Sequence, residues 1–263
     1  MIVLPALTLA TTLLVGAAPA KAPVPEMDAA TILKKAMARN LFGLTGTANA
    51  SMEVHTTRGE VKNRDLAVKL MRSEAGLQRA LVSFRSPVEV AGTAFLVVER
   101  PEGPPDQYLY LPALKKVRRI AAGQATDSFM GSDFTFLDLS PLPQGNSGEI
   151  EFKRLEDATV GGQPAYVIEA LSKIPGSPYS RVLTSIHREH LVPLKIEFFD
   201  QSGKPLKVLT MKKLKKIDGK LIPVELEMKN QQKNSWTVLG LTELDLKAKP
   251  SEADFTPEAM QGT

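Results

Sequence analysis

Histidine pairs can bind metal ions, and this sequence contains one pair at close spacing. His187 and His190 lie three residues apart, and the third histidine of the chain, His55, is distant in the sequence. On a strand, side chains three residues apart point to opposite faces, and a metal site needs three or four convergent ligands. We therefore expect no bound metal. No glycine-rich nucleotide motif is present either, so no cofactor is expected.

Ser132 has the side chain of a nucleophile and stands between Gly131 and Asp133. No Gly-x-Ser-x-Gly elbow surrounds it, so a hydrolase is not expected. Glu225 and Glu227 form an acidic pair, but the alternation around them places both on the solvent face of a strand, where carboxylates have no catalytic advantage. The sequence therefore indicates a protein without an enzymatic centre.

The densest basic cluster of the chain lies between residues 207 and 220. It includes Lys212, Lys213, Lys215 and Lys216, and the whole chain has a formal net charge of +4. Two interpretations stay open: a docking patch for an anionic membrane or an acidic protein, and a solvated strand edge whose lysines discourage aggregation. Nucleic acid is not expected as a partner, because no aromatic side chains interleave with these lysines to stack on bases.

The first 20 residues have the pattern of a secretory signal peptide. An apolar run from Ile2 to Val15 precedes Ala18-Pro19-Ala20, which fits the Ala-x-Ala cleavage rule. The run is shorter than the roughly 20 apolar residues of a spanning helix, although an uncleaved anchor stays open because this segment contains no Lys or Arg. Cleavage after Ala20 would leave residues 21–263, which we predict to form one soluble periplasmic domain. The chain has no cysteine, so neither a disulfide nor an amino-terminal lipid anchor is expected.

A short amphipathic helix is predicted at the start of this domain, where Asp28 can cap it and Gly43 can end it. Its apolar face consists of residues at helical spacing: Ile32, Leu33, Ala36, Met37 and Leu41. A helix with one apolar face is expected to cover a sheet.

From residue 46 onward, apolar and polar residues alternate with a period of two, as half-buried strands require. Turn dipeptides separate these runs: Arg58-Gly59, Ala75-Gly76, Gly161-Gly162, Ser202-Gly203 and Asp218-Gly219. We count ten or eleven strands, each with one dry face and one wet face. The spacing predicts an antiparallel meander, either a barrel or a strongly curved sheet. Residues 121–146 break the rhythm and are predicted to form a packed, irregular excursion with a short helix.

Two segments of the sequence resemble a known family. The strand Tyr108-Leu-Tyr-Leu-Pro-Ala-Leu-Lys-Lys-Val-Arg-Arg-Ile and the turn Phe129-Met-Gly-Ser-Asp-Phe are similar to the signature of the outer-membrane lipoprotein-sorting proteins, the periplasmic LolA/LolB-like carriers. The family-motif residues are Tyr108, Tyr110, Pro112, Arg118, Arg119, Gly131, Ser132 and Asp133.

The resemblance implies a half-open antiparallel β-barrel with an N-terminal helix and short helices covering the cavity. It implies a carrier that binds lipoprotein acyl chains or other lipids and passes them from an inner-membrane exporter to an outer-membrane acceptor. The alternative function is a sensor or interaction module of the same fold, linked to a lipid exporter or to envelope stress. Barrels wider than about eight strands leave an interior that side chains cannot fill, which agrees with a ligand cavity.

Large apolar side chains are the candidates for the lining of this cavity. They are Phe84, Phe95, Val97, Phe129, Met130, Phe134 and Trp236. Packing in an ordinary core explains each of them equally well.

Arg118 and Arg119 are adjacent, so one of them should face the interior of the barrel. An inward arginine needs a partner, because an unpaired buried charge costs several kcal/mol. Asp133 or Asp138 is the expected partner. The alternative is an arginine that closes the empty cavity by bonding to backbone and yields to the ligand.

Overall fold

The computed structural model describes residues 27–37, 39, 43–140 and 149–262. In this part of the chain, helix α1 spans Ala29–Met37 and fourteen strands form one antiparallel sheet. The strands are β1 Gly46–His55, β2 Val61–Arg72, β3 Gln78–Ser86, β4 Ala94–Val98, β5 Asp106–Leu111, β6 Lys116–Arg119, β7 Ile150–Arg154, β8 Ala158–Val160, β9 Gln163–Ser172, β10 Arg181–His187, β11 Pro193–Phe199, β12 Pro205–Ile217, β13 Lys220–Asn230 and β14 Ser235–Asp245. The predicted strand number is too low, because strands as short as β6 and β8 show no measurable alternation.

The sheet is a meander whose two halves meet through its first and last strands. Strands β1 to β6 follow one another along one half, β9 to β14 follow one another along the other, and β1 pairs with β14. Strands β7 and β8 both pair with β9. The end strands β6 and β7 do not pair with each other, so the sheet does not close. The predicted half-open antiparallel barrel is confirmed.

All five predicted turn dipeptides lie at connections between consecutive strands. Asp218 and Gly219 join β12 to β13 with φ angles of 48° and 76°. Two consecutive left-handed residues are what a tight two-residue hairpin turn requires. The local turn chemistry therefore determines which strands become neighbours.

The inner face of the half-barrel is apolar. Residues directly opposite each other on paired strands share a face, so Met52 of β1, opposite Leu239 of β14 and Arg64 of β2, defines the inner row. On β1 to β4 and on β13 the buried apolar residues of this face form one core: Ala48, Ala50, Met52, Val54, Leu66, Val68, Leu70, Ala80, Phe84, Phe95, Val97, Ile222, Val224 and Met228.

Part of the outer face of β2 to β5 is also buried, under the C-terminal residues. Leu81 and Leu96 are at most 1% exposed and pack against Phe255 and Met260, which lie in two short 3-10 turns. The expectation that every strand has one wet face is wrong here, since β4 is buried on both sides.

Helix α1 is capped as predicted, because the carboxylate of Asp28 accepts hydrogen bonds from the N–H and the hydroxyl of Thr31, both at 2.8 Å. Its apolar side packs against β9, β10 and the turn that follows β10: Ile32, Leu33 and Ala36 meet Tyr166, Ile168, Ile186 and Leu191. The predicted signal peptide, the Met37 side chain and Leu41 lie outside the described residues. None of the described helices is long and apolar enough to cross a bilayer.

Candidate functional site

The excursion between β6 and β7 covers part of the inner face of the half-barrel. We call its described part, residues 121–140, the plug. Phe129, Phe134 and Phe136 of the plug are 2%, 3% and 6% exposed and join the inner core. The Phe129 ring lies 5.1 Å from that of Phe95 and 5.9 Å from that of Phe84, measured between centroids. These contacts place the aromatic side chains of the plug at the centre of the inner core.

The signature turn Phe129–Phe134 has a structure that explains its sequence. Met130 and Gly131 adopt φ angles of 52° and 74°, and the N–H of Phe129 donates to the carbonyl of Phe134 at 2.7 Å. The hydroxyl of Ser132 donates to the carbonyl of Phe129 at 2.7 Å and accepts from the N–H of Phe134 at 3.3 Å. The described contacts of Ser132 therefore stabilise the turn.

Asp133 attaches this turn to β14. Its carboxylate accepts hydrogen bonds from the hydroxyls of Ser235 and of Thr237, the latter at 2.8 Å, and its N–H donates to Oγ1 of Thr237 at 3.0 Å. Thr237 is fully buried. A buried hydroxyl needs such a partner, and the polar Ser235 and Thr237 on an apolar face are thereby explained.

Gln107 of β5 attaches the plug to the other half of the sheet. Its side chain is on the inner face, 6% exposed, and its Nε2 donates to the carbonyl of Phe136 and to Oγ of Ser140, both at 2.8 Å. The plug is thus bonded to both halves of the barrel.

A buried ion pair forms the third attachment. The Asp138 carboxylate of the plug pairs with the ammonium of Lys207 on β12, and both side chains are 3% exposed. Oδ1 of Asp138 accepts from the Tyr179 hydroxyl at 2.7 Å, and Oδ2 accepts from the N–H of Thr135 at 2.7 Å. The rings of Tyr179 and Phe198 lie 5.0 Å and 5.2 Å from the Lys207 Nζ. Burial lowers the pKa of Lys207, an effect that Asp138 opposes, and burial raises the pKa of Tyr179.

Arg64 is a second cation on the inner face, 8% exposed. Its Nη1 lies 3.4 Å from Sδ of Met52, and its guanidinium is 5.9 Å from the centre of the Phe84 ring. No carboxylate of the described residues forms an ion pair with it. Burial lowers the pKa of Arg64.

The predicted partners of Arg118 and Arg119 are wrong. Both arginines are exposed, because β6 is an end strand of the sheet. Arg119 pairs with Asp106 on the outer face, and that carboxylate raises the pKa of Arg119. Asp133 and Asp138 are instead bound to β14 and to Lys207.

The other signature residues lie on the outer face or at a strand connection. Tyr108 and Tyr110 pack against the cluster that the C-terminal residues cover. Pro112 begins the turn after β5 and lies close to Gly92, where an added Cβ would be 3.5 Å from the Pro112 ring. These residues stabilise the scaffold around the plug.

Six of the seven predicted cavity residues meet in one place. Phe84, Phe95, Val97, Phe129 and Phe134 are buried together in the inner core, and Met130 packs against it partly exposed. Trp236 does not join them. It neighbours the inward Thr237 in sequence and therefore points outward, with its ring stacked 4.2 Å from that of His55.

The inner face of β11 to β14 is less completely covered than the rest. Its apolar side chains are half-buried and form what we call the apolar groove: Ile196, Leu209, Met211, Leu226, Leu239 and Leu241. A cavity of about 360 Å³ lies at one end of the half-barrel, between Gly131 and Asp133 of the plug, Lys207 of β12 and the β13–β14 turn. Lys207, Leu209 and Met211 alternate along one face of β12, so the groove begins at the buried ammonium.

The predicted docking lysines lie on an exposed part of β12. Lys212 and Lys213 pair with Glu227 and Glu225 at 3.5 Å and 2.5 Å, and Lys215 and Lys216 are exposed. Lys207, which the sequence places in the same basic cluster, is buried and separate from them. The sequence pattern that indicates its burial is the spacing of two residues between Lys207, Leu209 and Met211, which places the lysine on the apolar face of the strand.

The predicted arrangement of the histidines is wrong, because β10 ends at His187 and a turn brings His190 back. The two ring centroids are 4.8 Å apart. The pKa of His187 is lowered, mainly by burial and to a smaller extent by the charge of His190. Among the described residues no three His, Asp or Glu side chains converge on a point.

Comparisons with known proteins agree with this architecture. A family model described as "Uncharacterized protein" matches residues 76–262. A domain described as an outer membrane lipoprotein-sorting protein domain, from Vibrio parahaemolyticus, is 30% identical with a TM-score of 0.81, over 89% of this chain and 98% of that one. A DUF1329 family protein from Desulfovibrio piger is 25% identical with a TM-score of 0.78, over 89% and 100%.

A LolA superfamily protein from Nitrosomonas europaea, at 19% identity and a TM-score of 0.67 over 89% of this chain and all of that one, shares the fold. The comparison with curated proteins gives no match. The identity and coverage of the Vibrio domain, together with the half-open barrel, show that this chain belongs to the outer membrane lipoprotein-sorting protein family with the LolA-like fold.

Proposed function

We propose that this protein is a periplasmic carrier without catalytic activity, which binds acyl chains of lipoproteins or other lipids on the inner face of its half-barrel. The observation that supports this most directly is the apolar groove on β11 to β14, whose six side chains remain half-buried. Apolar side chains that face the inside of a barrel and keep contact with solvent are a usual feature of ligand sites.

The plug has to move for a long chain to enter. Phe129, Phe134 and Phe136 occupy the deepest part of the inner face. Protein interiors are close-packed, so these rings leave no room there for an added chain. The polar attachments of the plug, through Gln107, Asp133 and Asp138, are reversible bonds. The described structure therefore represents the closed form of the proposed carrier.

Handover by direct contact follows from the size of the hydrophobic effect. Moving an acyl chain of about 16 carbons out of water is worth about 10 kcal/mol, at about 0.8 kcal/mol per methylene. Release into the aqueous compartment is therefore slow. We propose an inner-membrane exporter as donor and an outer-membrane acceptor, with Lys215 and Lys216 as candidate docking residues because both are exposed.

Native mass spectrometry of the protein from the periplasm of its own host, followed by solvent extraction, tests the proposal. The expected result is a co-purified lipid or acylated peptide. The variant Leu209→Asp places a charge in the groove and should abolish the bound mass. Val208→Asp is the matched control, because Val208 is the next residue on the same strand, half-buried on the outer face, and should retain it.

A folded wild-type protein with a clean apo mass, and no binding of an added fluorescent fatty acid, would overturn the carrier. Equal loss of ligand in Leu209→Asp and Val208→Asp would overturn the inner face as the binding surface. Circular dichroism establishes that each variant is folded before the bound masses of the two variants are compared.

A further inference from the structure

Lys207 is an unusual residue for the inside of an apolar barrel. Its side chain is 3% exposed, and two aromatic rings lie within 5.2 Å of its ammonium. A buried ion pair often contributes no more to stability than apolar residues of the same size would. Stability alone therefore gives little reason for a lysine at this position.

The carboxylates that act on Lys207 both belong to the plug. Asp138 forms the ion pair and Asp133 contributes a weaker attraction. When the plug leaves the inner face, both carboxylates leave with it. The ammonium, held on β12 beside two aromatic rings, would then have lost the carboxylates that neutralise it.

We propose that the ligand of this site is an amphiphile with an anionic head group, a carboxylate or a phosphate, which takes the place of Asp138 at Lys207 while its chain lies along the apolar groove. This rests on the proposed carrier function and specifies its ligand class. The residues are in the required order, because Lys207, Leu209 and Met211 follow one another on the inner face of β12 over about 13 Å.

The exchange is balanced in charge. In the closed form a carboxylate of the chain neutralises Lys207, and in the loaded form the head group does so. The Tyr179 hydroxyl, which donates to Asp138 at 2.7 Å, can donate to the incoming anion as well. An uncharged amphiphile would gain the same contacts in the groove and leave Lys207 unpaired.

Displacement of the uncharged dye N-phenyl-1-naphthylamine from the full chain tests this inference. The competitors are dodecanoate, dodecyl phosphate and 1-dodecanol, which share one chain length and differ in head group, and inorganic phosphate alone. In the wild type, at least one of the two anionic amphiphiles should compete at least tenfold better than 1-dodecanol, and inorganic phosphate should not compete. Comparing dodecanoate with dodecyl phosphate then identifies the preferred anion.

The variant Lys207→Met/Asp138→Asn removes both charges, so that no buried ion is left unpaired, and should bind all three amphiphiles equally. Lys195→Met is the control, because Lys195 pairs with Glu197 at 2.8 Å on the outer face and should keep the wild-type preference. Thermal unfolding monitors the fold of each variant.

The outcomes separate the two proposals. Equal competition by all three amphiphiles in the wild type, or a preference that survives in Lys207→Met/Asp138→Asn, overturns the head-group inference and leaves the carrier intact. If neither the dye nor any amphiphile binds the folded wild type, the carrier proposal fails, and the head-group inference fails with it.

Discussion

The ammonium of Lys207 and the carboxylate of Asp138 connect the wall of the half-barrel to the plug inside it, 69 residues apart in sequence. Each side chain is 3% exposed, and the carboxylate also receives hydrogen bonds from Tyr179 and Thr135. A charge pair this deeply buried is highly sensitive to the loss of one partner, because the other cannot be hydrated.

Removal of one member of this pair should therefore be more costly than removal of both. We expect Lys207→Met to lower the free energy of unfolding by about 3–5 kcal/mol. Lys207→Met/Asp138→Asn should cost less than either single substitution, because no ion is left unpaired and asparagine keeps a side-chain oxygen that can accept from Tyr179 or Thr135. Urea denaturation of the wild type, both single variants and the double variant gives the coupling energy directly. Additive effects of the two substitutions would contradict the pairing.

The left-handed backbone of the signature turn gives a second prediction. Gly131 has a φ of +74°, and an added Cβ there would meet no atom within 4 Å. Gly131→Ala should therefore destabilise the protein through backbone strain alone, by about 1 kcal/mol. Gly123→Ala is the control in the same plug, because a Cβ at Gly123 would also meet no atom within 4 Å and its φ lies outside the left-handed region. That substitution should be neutral or slightly stabilising in urea denaturation, because alanine reduces the freedom of the unfolded chain.

The alternation of apolar and polar residues predicts the strands well, because successive side chains of a strand point to opposite faces and only one of the two faces is buried. Ile222, Val224 and Met228 are buried on the inner face of β13, as expected. The turn residues then determined which strands pair. Both signals are local, and a meander of hairpins needs little more than local signals to specify its topology.

Positions that depend on contacts distant in sequence could not be predicted in this way. Trp236 is expected inside, but Ser235 and Thr237 lie on the inner face, where their hydroxyls donate to Asp133 of the plug, about 100 residues away. Lys207 was grouped with exposed lysines, and its partner Asp138 lies in a segment without periodicity. Neither partner can be identified from the strand on which the residue lies.

The central phenyl ring of the plug gives a third prediction. Phe129 is 2% exposed and contacts the rings of Phe84, Phe95 and Phe136. Phe129→Ala should lower the free energy of unfolding by about 3–5 kcal/mol, because the surrounding rings can fill the vacated space only in part. A dry apolar cavity of this kind binds benzene, so benzene should raise the melting temperature of the variant more than that of the wild type.

Trp236→Phe is the comparison for this experiment. Phenylalanine can keep the stacking on His55, and the position is on the outer face, so the change in unfolding free energy should stay within about 1 kcal/mol. A Phe129→Ala variant as stable as Trp236→Phe would show that the plug is not packed as described.

The C-terminal cover of the outer face should make stability depend on acid. Asp254 accepts a hydrogen bond from the Lys69 ammonium at 2.5 Å and one from the N–H of Ser251 at 2.8 Å. The bond from Lys69, followed by that from Ser251, lowers the pKa of Asp254 from 3.8 to about 2. Because the folded pKa is the lower one, the carboxylate stabilises the fold above pH 3.8, and this contribution is lost as the pH falls to about 2.

Asp254→Asn should therefore cost about 1 kcal/mol near neutral pH, a value reduced by solvent screening, and almost nothing near pH 2. Glu252→Gln in the same turn is the control. Glu252 is 67% exposed in its pair with Arg79, so its loss should lower the free energy of unfolding by about 0.5 kcal/mol at most. Denaturation curves of the wild type, Asp254→Asn and Glu252→Gln between pH 7 and pH 2 measure both changes in stability. If Asp254→Asn costs as much at pH 2 as at pH 7, the Lys69 bond does not hold the C-terminal cover in place.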